Sequence, residues 1–187
     1  MKDLIMFNAL NIDSFDQSFD NFSLLSEERK EAFANFKKIG IPSKRDERWK
    51  YTDLKNDIRD INFSLCETNI EIKNADFDKL EVNEIDYFIN NKDLYFRPVK
   101  CLNDEGLIYL NLSYSNLFKI ITIRETSDIP IIIDIESFGE GMSFPRILIN
   151  VLPGVKADIQ IFNRGGLGFI NQLIELNIEK NSSIHFY

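Results

Sequence analysis

Arg45-Asp46-Glu47-Arg48 places two adjacent carboxylates between two guanidinium groups, with the chain's one tryptophan, Trp49, next in line and Tyr51 two places on. Adjacent acids can do general acid–base chemistry when a cleft shifts their pKa values. Flanked by arginines in so charged a segment, they more readily form ion pairs on a solvated loop. Trp49 and Tyr51 share a face if the segment is extended, so they are expected to pack together and anchor the loop. Thiolate chemistry has little to draw on. Cluster ligation takes about four cysteines, and Cys66 and Cys101 stand alone, 35 positions apart. His185 is the single histidine, too little for a zinc or nucleophilic constellation. The glycines of "NRGGLGF" do not fit a dinucleotide fingerprint, since no helical pattern follows them. No catalytic, metal-binding or cofactor-binding residue is assigned, and the chain is expected not to be an enzyme.

The composition narrows the function classes. A formal charge of −8 argues against nucleic acid, whose phosphates call for a basic face. No basic amphipathic stretch suggests a membrane surface. The apolar run Leu4 to Phe7 is too short for the core of a signal peptide, and no run approaches the roughly 18 apolar residues of a span. Two cysteines make no disulfide framework. A cytoplasmic protein of one or two domains is expected.

The elements that must position these residues fall into two regimes. Residues 1–106 hold 38 of the 52 charged residues and residues 107–187 only 14. In the first regime, Phe15, Phe19 and Phe22 predict a helix over 11–22. "SEERKEAFANFKKIG" predicts another over 26–39, with Ser26 as cap, Glu27 and Glu28 at its positive end, Phe33 and Phe36 inward, and Gly40 and Pro42 as stop. Thr52 reads as the cap of a third helix over 52–60, with Leu54, Ile58 and Ile61 on one side. Between 62 and 104 the pattern is mixed, with "DYFINN" and "LYFRPV" as candidate strands.

The second regime reads as β throughout. Short runs rich in Ile, Val and Phe alternate with turn residues, no amphipathic helix interrupts, and each run is expected to bury one face only. In "VKADIQIFN", Val155, Ala157, Ile159 and Ile161 point one way. Sandwich, barrel and β-solenoid all fit this spacing.

Two blocks in this order resemble a known family. "KRDERWKYTDL" (Lys44–Leu54), following "KKIGIPS", is similar to the N-terminal signature of the SufD family of iron–sulfur cluster assembly proteins, within the SufB/SufD superfamily. "DIPIIIDIESFGEGMSFPRILINVLPGVKADIQI", with Phe144-Pro145-Arg146, resembles the opening coils of that family's β-helix. The matching positions are Arg45, Asp46, Glu47, Trp49, Tyr51, Thr52, Asp53, Phe144, Pro145 and Arg146, read as structural.

The resemblance implies an α+β to mainly β fold. A mostly helical N-terminal domain (1–106) would lead into the first coils of a right-handed parallel β-helix (107–187), truncated at Tyr187. It implies a non-catalytic scaffold subunit of the SUF machinery, in which the full complex assembles the cluster. Its partners would be a SufB-like scaffold and a SufC-like ATPase, through regions beyond Tyr187. A last coil without a cap leads to the further expectation of a homodimer through that coil. The alternative is a free-standing β-solenoid module that binds a ligand or a protein.

Overall fold

The computed structural model describes residues 26–58, 64–84, 105–115, 117–165 and 168–187. The expected helix over 11–22, the "DYFINN" and "LYFRPV" strands, Ile61 and Cys101 lie outside them.

Helix α1 (Ser26–Ile39) carries acids in its first turn and Lys37 and Lys38 in its last, as the backbone dipole favours. It stops where Gly40 adopts φ +76° and its N–H donates to the Phe36 carbonyl. A 3-10 turn (Glu47–Trp49) and a one-turn helix α2 (Leu54–Asp57) follow. This is shorter than the 52–60 expected, and Asp53 rather than Thr52 precedes it.

A third helix, α3 (Gly106–Tyr114), overturns the reading of 107–187 as β throughout. It buries Leu110, Asn111, Ser113 and Tyr114 and half-buries most of the rest. A helix apolar nearly all round shows no 3.6-residue stripe to read. It packs on α1 so closely that a Cβ at Gly106 would run into the Gly40 carbonyl. Phe33, Phe36, Leu110, Tyr114, Met142 and Phe144 form the core there, with Phe33 edge-on to Tyr114 and Tyr114 tilted on Phe144.

Among the described residues ten strands make the rest: β1 (Glu67–Lys73), β2 (Leu80–Glu84), β3 (Leu117–Ile123), β4 (Ile131–Phe138), β5 (Met142–Ser143), β6 (Pro145–Val151), β7 (Lys156–Gly165), β8 (Phe169–Ile170), β9 (Leu173–Ile178) and β10 (Ser183–Phe186). They form two four-stranded sheets, β1-β4-β7-β10 and β2-β3-β6-β9, and the pair β5-β8. Both larger sheets are mixed: β1 and β2 run antiparallel to β4 and β3, and all later pairs are parallel.

The parallel pairs share one offset. Leu117 faces Pro145 and Ile131 faces Ile159, each 28 residues on; Arg146 faces Leu173 and Lys156 faces Ser183, each 27 on. The chain thus runs through the same three segments in successive tiers. Isoleucines dominate the space between the sheets: Ile121, Ile133, Ile135, Ile147, Ile149 and Ile159 are fully enclosed. The fold is therefore α+β with few helices and mixed sheets, and among the described residues the sheets do not close into a barrel.

Two further expectations change. β1 and β2 come from the mixed stretch after residue 62, and both join the sheets. Burial of one face holds for β7 and the residue before it: Val155, Ala157 and Ile159 are enclosed and Lys156 and Phe162 are not. It fails for β6, buried on both faces from Pro145 to Val151.

Candidate functional site

The signature turn is built by local hydrogen bonds. Asp46 caps the 3-10 turn, its Oδ1 accepting from the Arg48 N–H at 3.1 Å. Its side chain also takes the Arg48 guanidinium, and this hydrogen bond, ahead of the backbone one, holds the Asp46 carboxyl below its ordinary range. Arg48 also reaches Glu105 at the start of α3. Lys44 pairs with Asp53 at 3.0 Å and lowers that carboxyl in the same way. Lys50 meets Glu47, and Arg45 is exposed. Each of these acids has a cationic neighbour and access to water, the arrangement of ion pairs on a solvated turn.

The expected Trp49–Tyr51 pair does not form. The turn closes between them, with the Thr52 N–H on the Trp49 carbonyl, so the segment is not extended and the two rings diverge. Tyr51 is 91% exposed with the Lys50 ammonium 5.1 Å from its ring centre. Thr52 is exposed as well. Trp49 alone turns inward, half-buried beside Leu54, Leu107 and the corner Phe169–Gln172.

The second block lies in the tiers. Phe144 is 1% exposed in the aromatic cluster. Pro145 opens β6, where its missing N–H is tolerated, and its carbonyl accepts from Asn111 Nδ2 at 3.0 Å. Arg146 is buried. Its Nε and Nη2 meet the Glu175 carboxylate at 2.6 and 3.1 Å, and its guanidinium lies 4.9 Å from the Phe118 ring centre. Such a two-point grip fixes both side chains.

Three residues that tie the blocks together carry no signal in a single sequence. Arg29 projects from α1 into the protein, where Nη1 donates to the Ser113 carbonyl at 2.8 Å and Nη2 to that of Ser115. Burial, and then the charge of Arg146, lower its pKa to about 10. Asn111 Nδ2 also donates to the Asn171 carbonyl, and Asn171 Nδ2 donates to that of Leu107 at 2.7 Å. The two amides clamp α3 onto the β6 and β9 edges. Nothing in the residue types distinguishes them from surface polar side chains; only Asn111, on an apolar helix, has a neighbourhood that hints at burial.

The remaining candidates stay apart. Cys66 is half-buried, and its N–H donates to the Met142 carbonyl. His185 Nδ1 stands 3.2 Å from Asp158 Oδ1 on an exposed face. "NRGGLGF" ends β7 and starts β8. Among the described residues, no three of His, Cys, Asp and Glu gather as metal ligands, and no helix is long and apolar enough to cross a membrane.

A family scan matches residues 11–114 to the SufBD protein N-terminal region, more than half of the chain and inclusive of the signature turn. The chain belongs to the SufB/SufD family. Its members take part in iron–sulfur cluster assembly and work with other SUF proteins. A search of the curated proteins finds no match.

Proposed function

We propose that this chain is a non-catalytic, SufD-type scaffold subunit of the SUF machinery, its tiers being the first coils of a right-handed parallel β-helix. The observation that carries the proposal is the family match over residues 11–114, which takes in the "RDERWKYTDL" turn. The constant offset of 27 or 28 residues between parallel partners supports the β-helix reading, since stacked coils repeat by a fixed chain length. In this role the chain supplies surface: it binds no cofactor of its own, hydrolyses no ATP and works in the cytoplasm. The iron–sulfur cluster is the cargo of the complex, whose other members are a SufB-like scaffold and a SufC-like ATPase.

An N-terminal affinity tag on the gene product as the cell makes it tests this. A SufB-type and a SufC-type protein should co-elute, and the tagged chain alone should carry no cluster after anaerobic reconstitution and desalting. Elution alone, as a monomer or a homodimer, would favour a free-standing binding module. A stoichiometric cluster on the chain by itself would overturn the absence of a cofactor.

A further inference from the structure

Arg29, Arg146 and Glu175 come from α1, β6 and β9 and meet where α3 leads into β3. Arg29 is buried, and its guanidinium sits on the Ser113 and Ser115 carbonyls. Three residues after Ser115, the Phe118 ring carries the Arg146 guanidinium. Arg146 is buried too, and its charge reaches Arg29. Two like charges taken out of water repel each other, and each has lost hydration. Glu175 brings the opposite charge from the next tier. Arg146 grips its carboxylate at two points, and the Glu175 side chain is only 13% exposed, so water screens the pair little. Backbone carbonyls and an aromatic face ease a buried cation, but a carboxylate cancels its charge.

We propose that Glu175 is a latch for the helical layer: by neutralising Arg146 it lets Arg29 stay buried, so the first half of α1 is held on the sheets while β9 is in place. The second half of α1 is held separately, by Phe33 and Phe36 in the aromatic core. The coupling runs both ways, as any linkage between two sites must. Whatever displaces β9 or takes hold of Glu175 frees the start of α1, and a partner that draws α1 away loosens β9. The proposal goes beyond the scaffold reading and holds whichever SUF protein the chain serves.

Hydrogen exchange followed by NMR on the whole chain tests the latch. The signals are the Arg29 guanidinium N–H groups and the amides of Lys30, Glu31 and Ala32, with the amides of Phe36 and Lys37 as internal reference. Glu175→Gln keeps the side chain's shape and removes its charge. Exchange at Arg29 and the three amides should then rise about tenfold or more, as expected where a buried charge pair loses one partner. The reference amides should change by no more than about threefold. Adding Arg146→Met removes the cation that made Glu175 necessary, so the double variant should return Arg29 to within about threefold of the parent chain. A carboxylate that served only the packing of β9 would give the opposite result, a further loss in the double variant. Unchanged exchange at Arg29 in Glu175→Gln would overturn the proposal, as would a double variant no better protected than the single one. If Glu175→Gln does not fold, the double variant decides alone. Folded with Arg29 protected, it supports the latch; unfolded, it overturns it.

Discussion

The tiers and the signature turn hold their shape by opposite means. In the tiers each inward isoleucine is covered by the residue 27 or 28 positions away, and Ile133, Ile147 and Ile149 lose all contact with water. In the turn no residue of the 3-10 segment or of α2 is fully buried. Its order comes from Asp46 capping its own turn and from paired charges open to solvent, each worth about 0–1 kcal/mol. The more recognisable half of the sequence is thus the less stabilising half. A segment can be specific in sequence because of what it presents, while the fold rests on residues that are generic in type.

Substitutions ranked by expected cost test that contrast. Ile149→Ala, at the centre of β6, should lower the unfolding free energy by about 2–5 kcal/mol in urea titrations. A loss under about 1 kcal/mol would mean that the tiers do not carry the fold. Gly106→Ala forces α1 and α3 apart and should cost about 1–3 kcal/mol. Trp49→Ala, in the turn, should cost about 1–2 kcal/mol, the share of a half-buried ring. Tyr51→Ala should stay within about 0.5 kcal/mol, because the ring touches little but water. A Tyr51 effect larger than that of Trp49 would restore the packed aromatic pair.

The smallest contrast is one of slope. Asp134 on β4 is 5% exposed; its hydrogen bond to Lys73, the largest cause, and the charge of Arg164 hold its carboxyl below the ordinary range. A depressed native pKa stabilises above the unfolded value of about 3.9, and that contribution fades as pH falls through it toward the native one. Asp46 follows the same sign but faces water, which screens it. Melting temperature between about pH 5 and pH 3 should therefore fall less steeply in Asp134→Asn than in the parent chain, with Asp46→Asn close to the parent. The reverse order would place the acid-sensitive contacts in the turn.

Much of this was legible in the residues, and the failures have physical causes. Helix α1 shows every boundary signal, and the strands from β3 onward stand out as β-branched runs between turn residues. The repeat itself was also there to read. "KIITI", "ILINV" and "IELNI" recur 27 or 28 residues apart, and aligning them would have given the tiers. Helix α3 was hidden because a buried apolar helix has no polar face to set a period. β1 carries the same period-two signal, with Glu67, Asn69, Glu71 and Lys73 alternating with Thr68, Ile70 and Ile72, but only two large apolar residues support it, so it stands out little from the polar stretch around it. In the site, the ion pairs of the turn follow from charge and proximity in sequence. The inward rotation of Trp49 depends on Leu107 and Phe169, which are far along the chain, and so does the Asn111–Asn171 clamp.

The antiparallel start of each sheet has a bearing on the order in which the chain is made. As residues leave the ribosome, Leu80 must wait for Ile123, and Glu67 for Phe138, before β2 and β1 find partners. Both partners nevertheless emerge before Pro145 and Lys156 open the next tier. By the time β6 and β7 appear, one edge of β3 and one edge of β4 are already occupied, and only the opposite edges can accept a newcomer. Later strands, with shorter waits, can add in a single direction. Long-range closure is slow and short-range addition fast, so the first tier is the slow step of synthesis-coupled folding and sets the heading for everything laid down after it.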